Sequence, residues 1–386
     1  MTLPHANWNY PTAIRFGAGR IAELPQACGE LGLERPLLVT DPALAGLPMV
    51  DELLARCSAA GLAIGVFSDI HPNPVGADIE RGLAAFAAGK HDGAVAFGGG
   101  SALDVGKVIA FMSGQRRPLW DFEDKDDWWT RADEAEIAPV IAVPTTAGTG
   151  SEVGRAGVIL DEAAGVKKII FHPRMLPRLV ILDPELTVGL PPHVTAATGM
   201  DALSHCLEAY CATGFHPLAD GIAAESVRLI HDWLKRAYAD GADLEARGHM
   251  LVAATMGATA FQKGLGGMHA LSHPIGALAG SHHGLTNAVL MPYVLRFNRA
   301  AIEGRLERLA AYAGIEPASF DGFLDWILGL RRDLGIPATL AELGLEAAQI
   351  DHLARMAQDD PSAGGNPLPF DAAAARQVLE AAFGEG

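Results

Sequence analysis

Apolar runs and amphipathic stretches alternate through the first half of the chain. Pro36-Leu37-Leu38-Val39-Thr40 reads as a buried strand closed by a turn at Asp41-Pro42, and Met49 to Ala60 carries a helical pattern. Ala63-Ile64-Gly65-Val66-Phe67 reads as a second strand, Ala77 to Gly89 as a helix, and Gly93-Ala94-Val95-Ala96-Phe97 as a third strand. Val140-Ile141-Ala142-Val143 and Leu179-Val180-Ile181-Leu182 continue the series. Strands that alternate with helices predict a parallel, doubly wound sheet. The pattern changes after Asp183-Pro184-Glu185-Leu186. Beyond Pro191-Pro192 the chain is Ala-rich and helical in period, with no convincing strand to its end. The expected fold class is therefore α/β + α, with an α/β domain over 1–187 and an all-α domain over 188–386. The acidic stretch Asp121 to Glu136, which contains Trp128-Trp129, reads as a solvated loop, with a substrate lid as the less favoured alternative.

Composition narrows the function. A chain of 386 residues exceeds one ordinary core, and 49% hydrophobic against 19% charged residues describes a packed globular protein. A net charge of −17 argues against nucleic acid or an anionic membrane as partner. No apolar run approaches the ~20 residues of a membrane helix. The start, Met1-Thr2-Leu3-Pro4-His5-Ala6-Asn7, lacks a basic segment followed by an apolar one, so a cytoplasmic location is expected. Cys28, Cys57, Cys206 and Cys211 form neither a CxxC pair nor a dense framework and read as buried thiols in a reducing compartment.

The second half concentrates metal-binding chemistry. Asp201-Ala-Leu-Ser-His205 sets a carboxylate and an imidazole four residues apart, and His269-Ala-Leu-Ser-His273 repeats the spacing with two imidazoles. Residues i and i+4 share a helix face, so each pair can point into one cavity. His283 follows in the turn-like Ser281-His282-His283-Gly284, with His282 read as a bystander. Either pair alone reads more readily as chance polar spacing. Both together, set among apolar and small residues, favour a site for Fe(II), Zn, Mn or Co. Cys206 projects about 100° away from His205 and is not expected to join.

Gly98-Gly99-Gly100-Ser101-Ala102-Leu103-Asp104-Val105-Gly106-Lys107 follows a strand and opens a helix. Three glycines let the backbone approach an anion, Ser101 is expected to cap the helix, and the helix end favours a phosphate. The loop matches neither G-x-G-x-x-G nor a Walker A pattern. A tight turn that binds nothing is the alternative. Pro144-Thr145-Thr146-Ala147-Gly148-Thr149-Gly150-Ser151-Glu152 supplies hydroxyls after another strand. Asp41, also just past a strand, is poised to accept ribose hydroxyls and so to favour NAD over NADP; an ordinary Asp-Pro turn is an equal alternative.

These motifs, with Pro11-Thr12-Ala13-Ile14-Arg15-Phe16-Gly17-Ala18-Gly19, Gly199-Met200-Asp201-Ala202-Leu203-Ser204-His205, the segment from Gly264 to Pro292 and Asn366-Pro367, resemble the iron-containing (group III) alcohol dehydrogenases nearly end to end. The resemblance implies a doubly wound dinucleotide-binding domain followed by a helical domain, the architecture shared with dehydroquinate synthases, with the active site in the cleft. It implies metal ligands at Asp201, His205, His269 and His283, with His273 near the substrate and not a ligand; a catalytic proton relay to solvent is the role expected of His273 if it points toward the substrate. It implies cofactor contacts at Asp41, Asn73, Gly99, Gly100, Ser101, Asp104, Thr145, Thr146, Thr149, Val158 and Lys168, the last with Lys167 adjoining. NAD, Fe(II) (or Zn or another divalent ion), a small alcohol, aldehyde or hydroxy-acid substrate and a homodimer follow as expectations. Two departures, a short approach through Gln262-Lys263-Gly264-Leu265-Gly266 and His282 in place of the commoner proline, resemble a branch acting on hydroxy acids and sugar acids. Lys263 is a candidate for a substrate carboxylate, a surface lysine being the favoured alternative. A lyase or synthase of dehydroquinate synthase type, using NAD transiently, and a non-catalytic metal-binding protein are the rival classes.

Overall fold

The computed structural model describes residues 12–384; the Met1–Asn7 segment read for a leader and Pro11 of the first motif lie outside the described residues. The chain divides into two compact units. One comprises the described residues up to Thr146 together with Gly150–Thr187, and the other joins Ala147–Thr149 to the chain from Val188 onward. The break near residue 187 thus has one exception, a three-residue loop that groups with the helices.

The sheet unit contains β1 (Ala13–Phe16), α1 (Leu24–Glu30), β2 (Pro36–Val39), α2 (Pro42–Ala45), α3 (Pro48–Ala59), β3 (Gly65–Phe67), α4 (Gly76–Ala88), β4 (Gly93–Gly98), α5 (Gly100–Met112), β5 (Val140–Pro144), β6 (Ala156–Asp161), β7 (Val166–Phe171) and β8 (Leu179–Leu182). Six strands form one parallel sheet in the order β1-β8-β5-β4-β2-β3. Side chains on a strand alternate between faces, and the two cores divide accordingly. Leu37 and Val39 join Ile79 and Phe86 of α4 and Val105 and Ile109 of α5. Leu38 joins Leu24 and Cys28 of α1 and Val50 and Leu53 of α3. Every residue of β4 is buried, as its unbroken apolar sequence requires of a central parallel strand. The chain leaves β2 for β3 on one side and returns to β4 on the other. The carboxyl ends of β2 and β4 therefore flank a topological switch point, where open α/β sheets bind ligands.

Three strands escaped the hydrophobic pattern. β1 is a short, largely exposed edge strand paired with β8. β6 and β7 form an antiparallel hairpin around Gly165, where Val158 opposes Ile169 and Leu160 opposes Lys167. The acidic segment is also less solvated than its charge suggests. Phe122 is fully buried, Glu123 bridges to Ile170, and Asp124 N donates to Ile169 O (2.8 Å), which ties the segment to the hairpin.

The helical unit holds α6 (Pro192–Cys211), α7 (Pro217–Ala239), α8 (Leu244–Ala260), α9 (Gly267–Ala279), α10 (His283–Ala313), α11 (Phe320–Asp333), α12 (Ile350–Gln358) and α13 (Ala372–Gly384). From Thr195 to Cys211 every residue of α6 is buried, which marks it as the central helix, and α7, α8 and α10 pack on it. No described helix is long and apolar enough to cross a membrane.

Candidate functional site

A central helix buried all round ordinarily carries apolar residues alone. α6 instead places Asp201, His205 and Glu208 at i, i+4 and i+7, one stripe of three buried polar side chains. α9 contributes His269 and α10 contributes His283. The start of α10 presses on α6 at Gly284, where a Cβ would come within 2.3 Å of Ala197 O and 2.7 Å of Asp201 Cβ. Only glycine permits that approach, which brings His283 Nε2 to 3.7 Å from Asp201 Oδ1. His282, expected to be idle, caps α10 by accepting from Leu285 N (3.4 Å) and so helps set where that helix begins. The outcome is a group of four potential donors, Asp201, His205, His269 and His283, within 4.8 Å of one another. The His205 and His269 rings stack at 4.8 Å, and the Phe261 ring lies tilted against His205 at 5.1 Å.

Three residues that sequence spacing did not single out hold this group and the adjoining His273 in place. Glu208 accepts from His269 Nδ1 and from Met268 N, each at 2.6 Å. Asn287 Nδ2 donates to Asp201 Oδ1 (2.9 Å) and lies 3.1 Å from His283 Nε2 and 3.3 Å from His269 Nε2. Asp360 accepts from His273 Nδ1 (2.8 Å), and the His273 ring stacks on His283 at 5.5 Å. His273 thus stands beside the group with its tautomer set: Nδ1 carries the proton and Nε2 is left to act. The signal for Glu208 and Asn287 was present as helix spacing, i+7 from Asp201 and i+4 from His283.

Charge supports an ion-binding reading. Burial drives the His205 pKa down to about 4, so that ring is neutral near pH 7. Burial pushes His269 the same way, but the carboxylates of Glu208, Asp201 and Asp360 outweigh it and hold its pKa above the usual imidazole value. Burial raises the Asp360 carboxyl, yet His273 and the Ser362 N–H more than compensate and keep it below the ordinary range. A buried pocket with one neutral imidazole and carboxylates gathered about its stacked neighbour suits a single small cation. One carboxylate and three imidazoles make a donor set apt for Fe(II), Zn, Mn or Co. Lys263 does not reach this group as a free cation. Its side chain is buried against Asp220 Oδ1 (2.5 Å) and Tyr210 O (3.1 Å).

In the sheet unit the switch point carries the glycine loop. Gly98 has φ +144°, a region that disfavours side chains, and a Cβ there would meet Ala102 Cβ at 2.8 Å and Asp41 Oδ2 at 3.6 Å. Gly99 is the N-cap of α5 and neighbours Thr146, while Thr145 N donates to Gly98 O (3.0 Å). The amides at this helix start, Gly100 and Ser101 among them, have no intrahelical acceptor and form an anion-ready surface. Ser101 is not the cap expected of it. The helix begins before it, and its hydroxyl donates to Pro72 O (2.5 Å), which moors the loop carrying Asn73.

The other expected cofactor positions divide into facing groups and scaffolding. Asp41 caps α2, with Oδ1 accepting from Ala43 N (3.0 Å) and Leu44 N (2.9 Å), while Oδ2 is the oxygen beside Gly98. Asp104 accepts from Ser151 Oγ and from Val158 N (3.0 Å) and pairs with the buried Lys107 at 3.2 Å, so it braces the loop from within. Lys168 pairs with Asp161 (2.7 Å) and lies over Trp120 (5.0 Å to the ring), whereas the adjoining Lys167 donates to Asn73 Oδ1 (3.0 Å). Successive strand residues face opposite ways, so a one-residue ambiguity in β7 exchanges the two lysines. Thr149 belongs to the loop that groups with the helical unit.

Residues 11–184 match the family model described as iron-containing alcohol dehydrogenase, and residues 195–383 match its Fe-containing alcohol dehydrogenase C-terminal counterpart. The chain is 38% identical over 382 residues to the 4-hydroxybutyrate dehydrogenase of Cupriavidus necator, covering 96% of this chain and 98% of that protein. It is 34% identical over 368 residues to the NAD-dependent methanol dehydrogenase of Bacillus methanolicus, covering 94% and 95% respectively. The solved structure of a 1,3-propanediol oxidoreductase aligns with a TM-score of 0.93 at 34% identity, over 98% of this chain and 100% of that one.

Proposed function

Because the chain belongs to the iron-containing alcohol dehydrogenase family, an alcohol oxidoreductase family, we propose that it reversibly oxidises a primary alcohol or hydroxy acid to the aldehyde with NAD and one divalent ion. The observation that carries this reading is the convergence of Asp201, His205, His269 and His283, whose donor atoms lie within 4.8 Å of one another. A divalent cation bound there, preferably Fe(II), supplies Lewis acidity that lowers the alcohol's pKa, and NAD supplies the hydride acceptor.

The chain's own residues do the rest. Asp201 and the three imidazoles hold the cation. Asp360 orients His273 by accepting its Nδ1–H, which leaves Nε2 to take the proton released from the alcohol and pass it to solvent. Phe261 and the buried face of α6 keep water from the inner side of the group. In the sheet unit the N–H groups at the start of α5, Thr145, Thr146 and Asn73 bind the nucleotide, with Asp41 Oδ2 toward the ribose. Lys167 replaces Lys168 as the lysine of that site. The relatives named above are dehydrogenases and oxidoreductases, which favours redox chemistry over a lyase, and one of them is NAD-dependent. The 4-hydroxybutyrate relative makes an ω-hydroxy acid the first substrate class to examine. The four cysteines are buried and free, in keeping with a reducing, cytoplasmic setting.

The test is a panel of primary alcohols and ω-hydroxy acids, with their aldehydes in reverse, offered to anaerobically prepared protein with NAD or NADP. Ion-dependent NADH formation is expected with at least one member. Ion binding and NAD binding without any net redox turnover across the panel would reject the assignment.

A further inference from the structure

Glu208 sits where no catalytic role would place it, one turn beyond His205 on α6, only 5% exposed, with both oxygens turned to the start of α9. An ionised carboxylate in that setting is costly unless both oxygens are hydrogen-bonded. One bond is a helix cap: α9 has Gly266 at its N-cap position and no side-chain cap of its own, and Met268 N donates to Glu208 Oε1 instead. Capping needs only that oxygen. The other takes the His269 Nδ1 proton at 2.6 Å.

A neutral imidazole has one N–H and one lone pair. With the proton fixed on Nδ1, the lone pair lies on Nε2, the nitrogen 3.3 Å from Asn287 Nδ2 in the midst of the donor group. We infer that Glu208 is the positioning residue of the ion site, a buried acid that selects the His269 tautomer able to ligate and holds its ring toward the cation. This rests on reading Asp201, His205, His269 and His283 as an ion site. Glu208 also joins that site to the fold. Gly267 N donates to Asn366 Oδ1 (3.1 Å), and Asn366 is paired with Asn298 of α10, so the start of α9 is tied to α6 and α10 together.

The chemistry of the side chain separates this role from capping alone. In Glu208→Gln one oxygen and one NH2 replace two acceptors. The Met268 N–H can only donate, so it claims the oxygen. The NH2 is then left facing His269 Nδ1 and favours the opposite tautomer, with a proton on Nε2 pointing into the site. Glu208→Ala removes the cap but imposes no tautomer. A role in the ion site therefore predicts two opposed rankings: Gln harms ion binding more, and Ala harms stability more.

The experiment strips the full chain with a chelator. It then measures Zn(II) affinity by competition with a chromophoric chelator, and the thermal midpoint of the stripped protein, for wild type and both variants. Affinity is expected to fall roughly 100-fold for Gln and about 10-fold for Ala, the range seen when partners of metal-bound histidines are lost. The midpoint should fall further for Ala. Wild-type affinity in Gln, or an affinity loss that follows the stability ranking, overturns the inference and leaves Glu208 a helix cap. If Ala fails to fold, the Gln measurement decides alone. Stripped wild type that takes up no Zn(II) would instead reject the ion site itself, and the role of Glu208 with it.

Discussion

In the sheet unit the candidate nucleotide loop is made of backbone: a positive-φ glycine, unpaired amides at the start of α5, and side chains such as Ser101 and Asp104 turned inward to brace it. In the helical unit the candidate ion site is made of side chains, with Glu208, Asn287 and Asp360 pinning His269, Asp201 and His273. A backbone site tolerates changes in side chains that only brace it and fails when the chain path changes. A side-chain site fails at any donor and is tuned by the partners behind the donors. The contrast follows from the ligands: a diffuse anion is met by many N–H dipoles, a point cation by a few lone pairs.

The sharpest way to break the comparison is His269→Ala. Losing one imidazole should empty the ion site and lower kcat by about 1000-fold or more, the scale of losing a Lewis acid worth several kcal/mol. NAD affinity, read by calorimetry, should stay near wild type; a parallel loss of NAD binding would refute the independence of the two sites. Gly98→Ala is the counterpart. With φ +144° and a 2.8 Å contact to Ala102 Cβ, it should strain the loop by about 1–3 kcal/mol and weaken NAD roughly 10-fold or more. Metal content should be unaltered, and an unperturbed NAD affinity would deny the backbone its role.

Acid offers a third comparison, confined to the sheet unit. Burial raises the Asp78 carboxyl, but the Val75 and His71 N–H groups and the His71 ring outweigh it and keep the pKa below the usual carboxylate value. A depressed carboxyl contributes stability fully above the unfolded pKa of about 3.9 and loses it as pH falls through the folded value. Urea midpoints measured from neutral pH into acid should show that loss in wild type and a shallower one in Asp78→Asn. Parallel curves would remove Asp78 as an anchor of the loop bearing Asn73. The smallest effect belongs to Asp41→Asn, which keeps the α2 cap, since Asn also caps, and removes the charge beside Gly98. NADP use relative to NAD should rise about 3- to 10-fold, near 1 kcal/mol, and an unchanged ratio of kcat/KM values would show that Oδ2 does not face the ribose.

Much of this was legible before the fold was seen, and the limits have physical causes. Unbroken apolar runs revealed β2, β4, β5 and β8, because central parallel strands are buried on both faces. The hairpin β6–β7 was missed because β7 sets two half-buried lysines beside Ile169 and Ile170 and follows no single period. Helix spacing at i+4 drew attention to Asp201 with His205 and to His269 with His273, His283 followed in a nearby turn, and the family resemblance reduced these five to the four expected donors. Glu208, Asn287 and Asp360 were not singled out: the first two sit at helix spacing from Asp201 and His283, but the partners that reveal their roles lie 61, 86 and 87 residues away and are brought to them only by the tertiary fold. The period-two register of β7 sends Lys167 and Lys168 to opposite faces, so a single-residue ambiguity in the sequence decides which lysine is proposed for the nucleotide, and Ser101 was taken for a cap because the start of α5 could not be fixed to within one turn.

Anaerobic titration of the stripped full chain with Fe(II), following NADH formation from a primary alcohol or ω-hydroxy acid, addresses the central assignment most directly. The rate should climb in proportion to added ion and level off at one equivalent per chain. A rate already present before any ion is added, or ion bound at one equivalent with no NADH formed from any substrate of the panel, would contradict it.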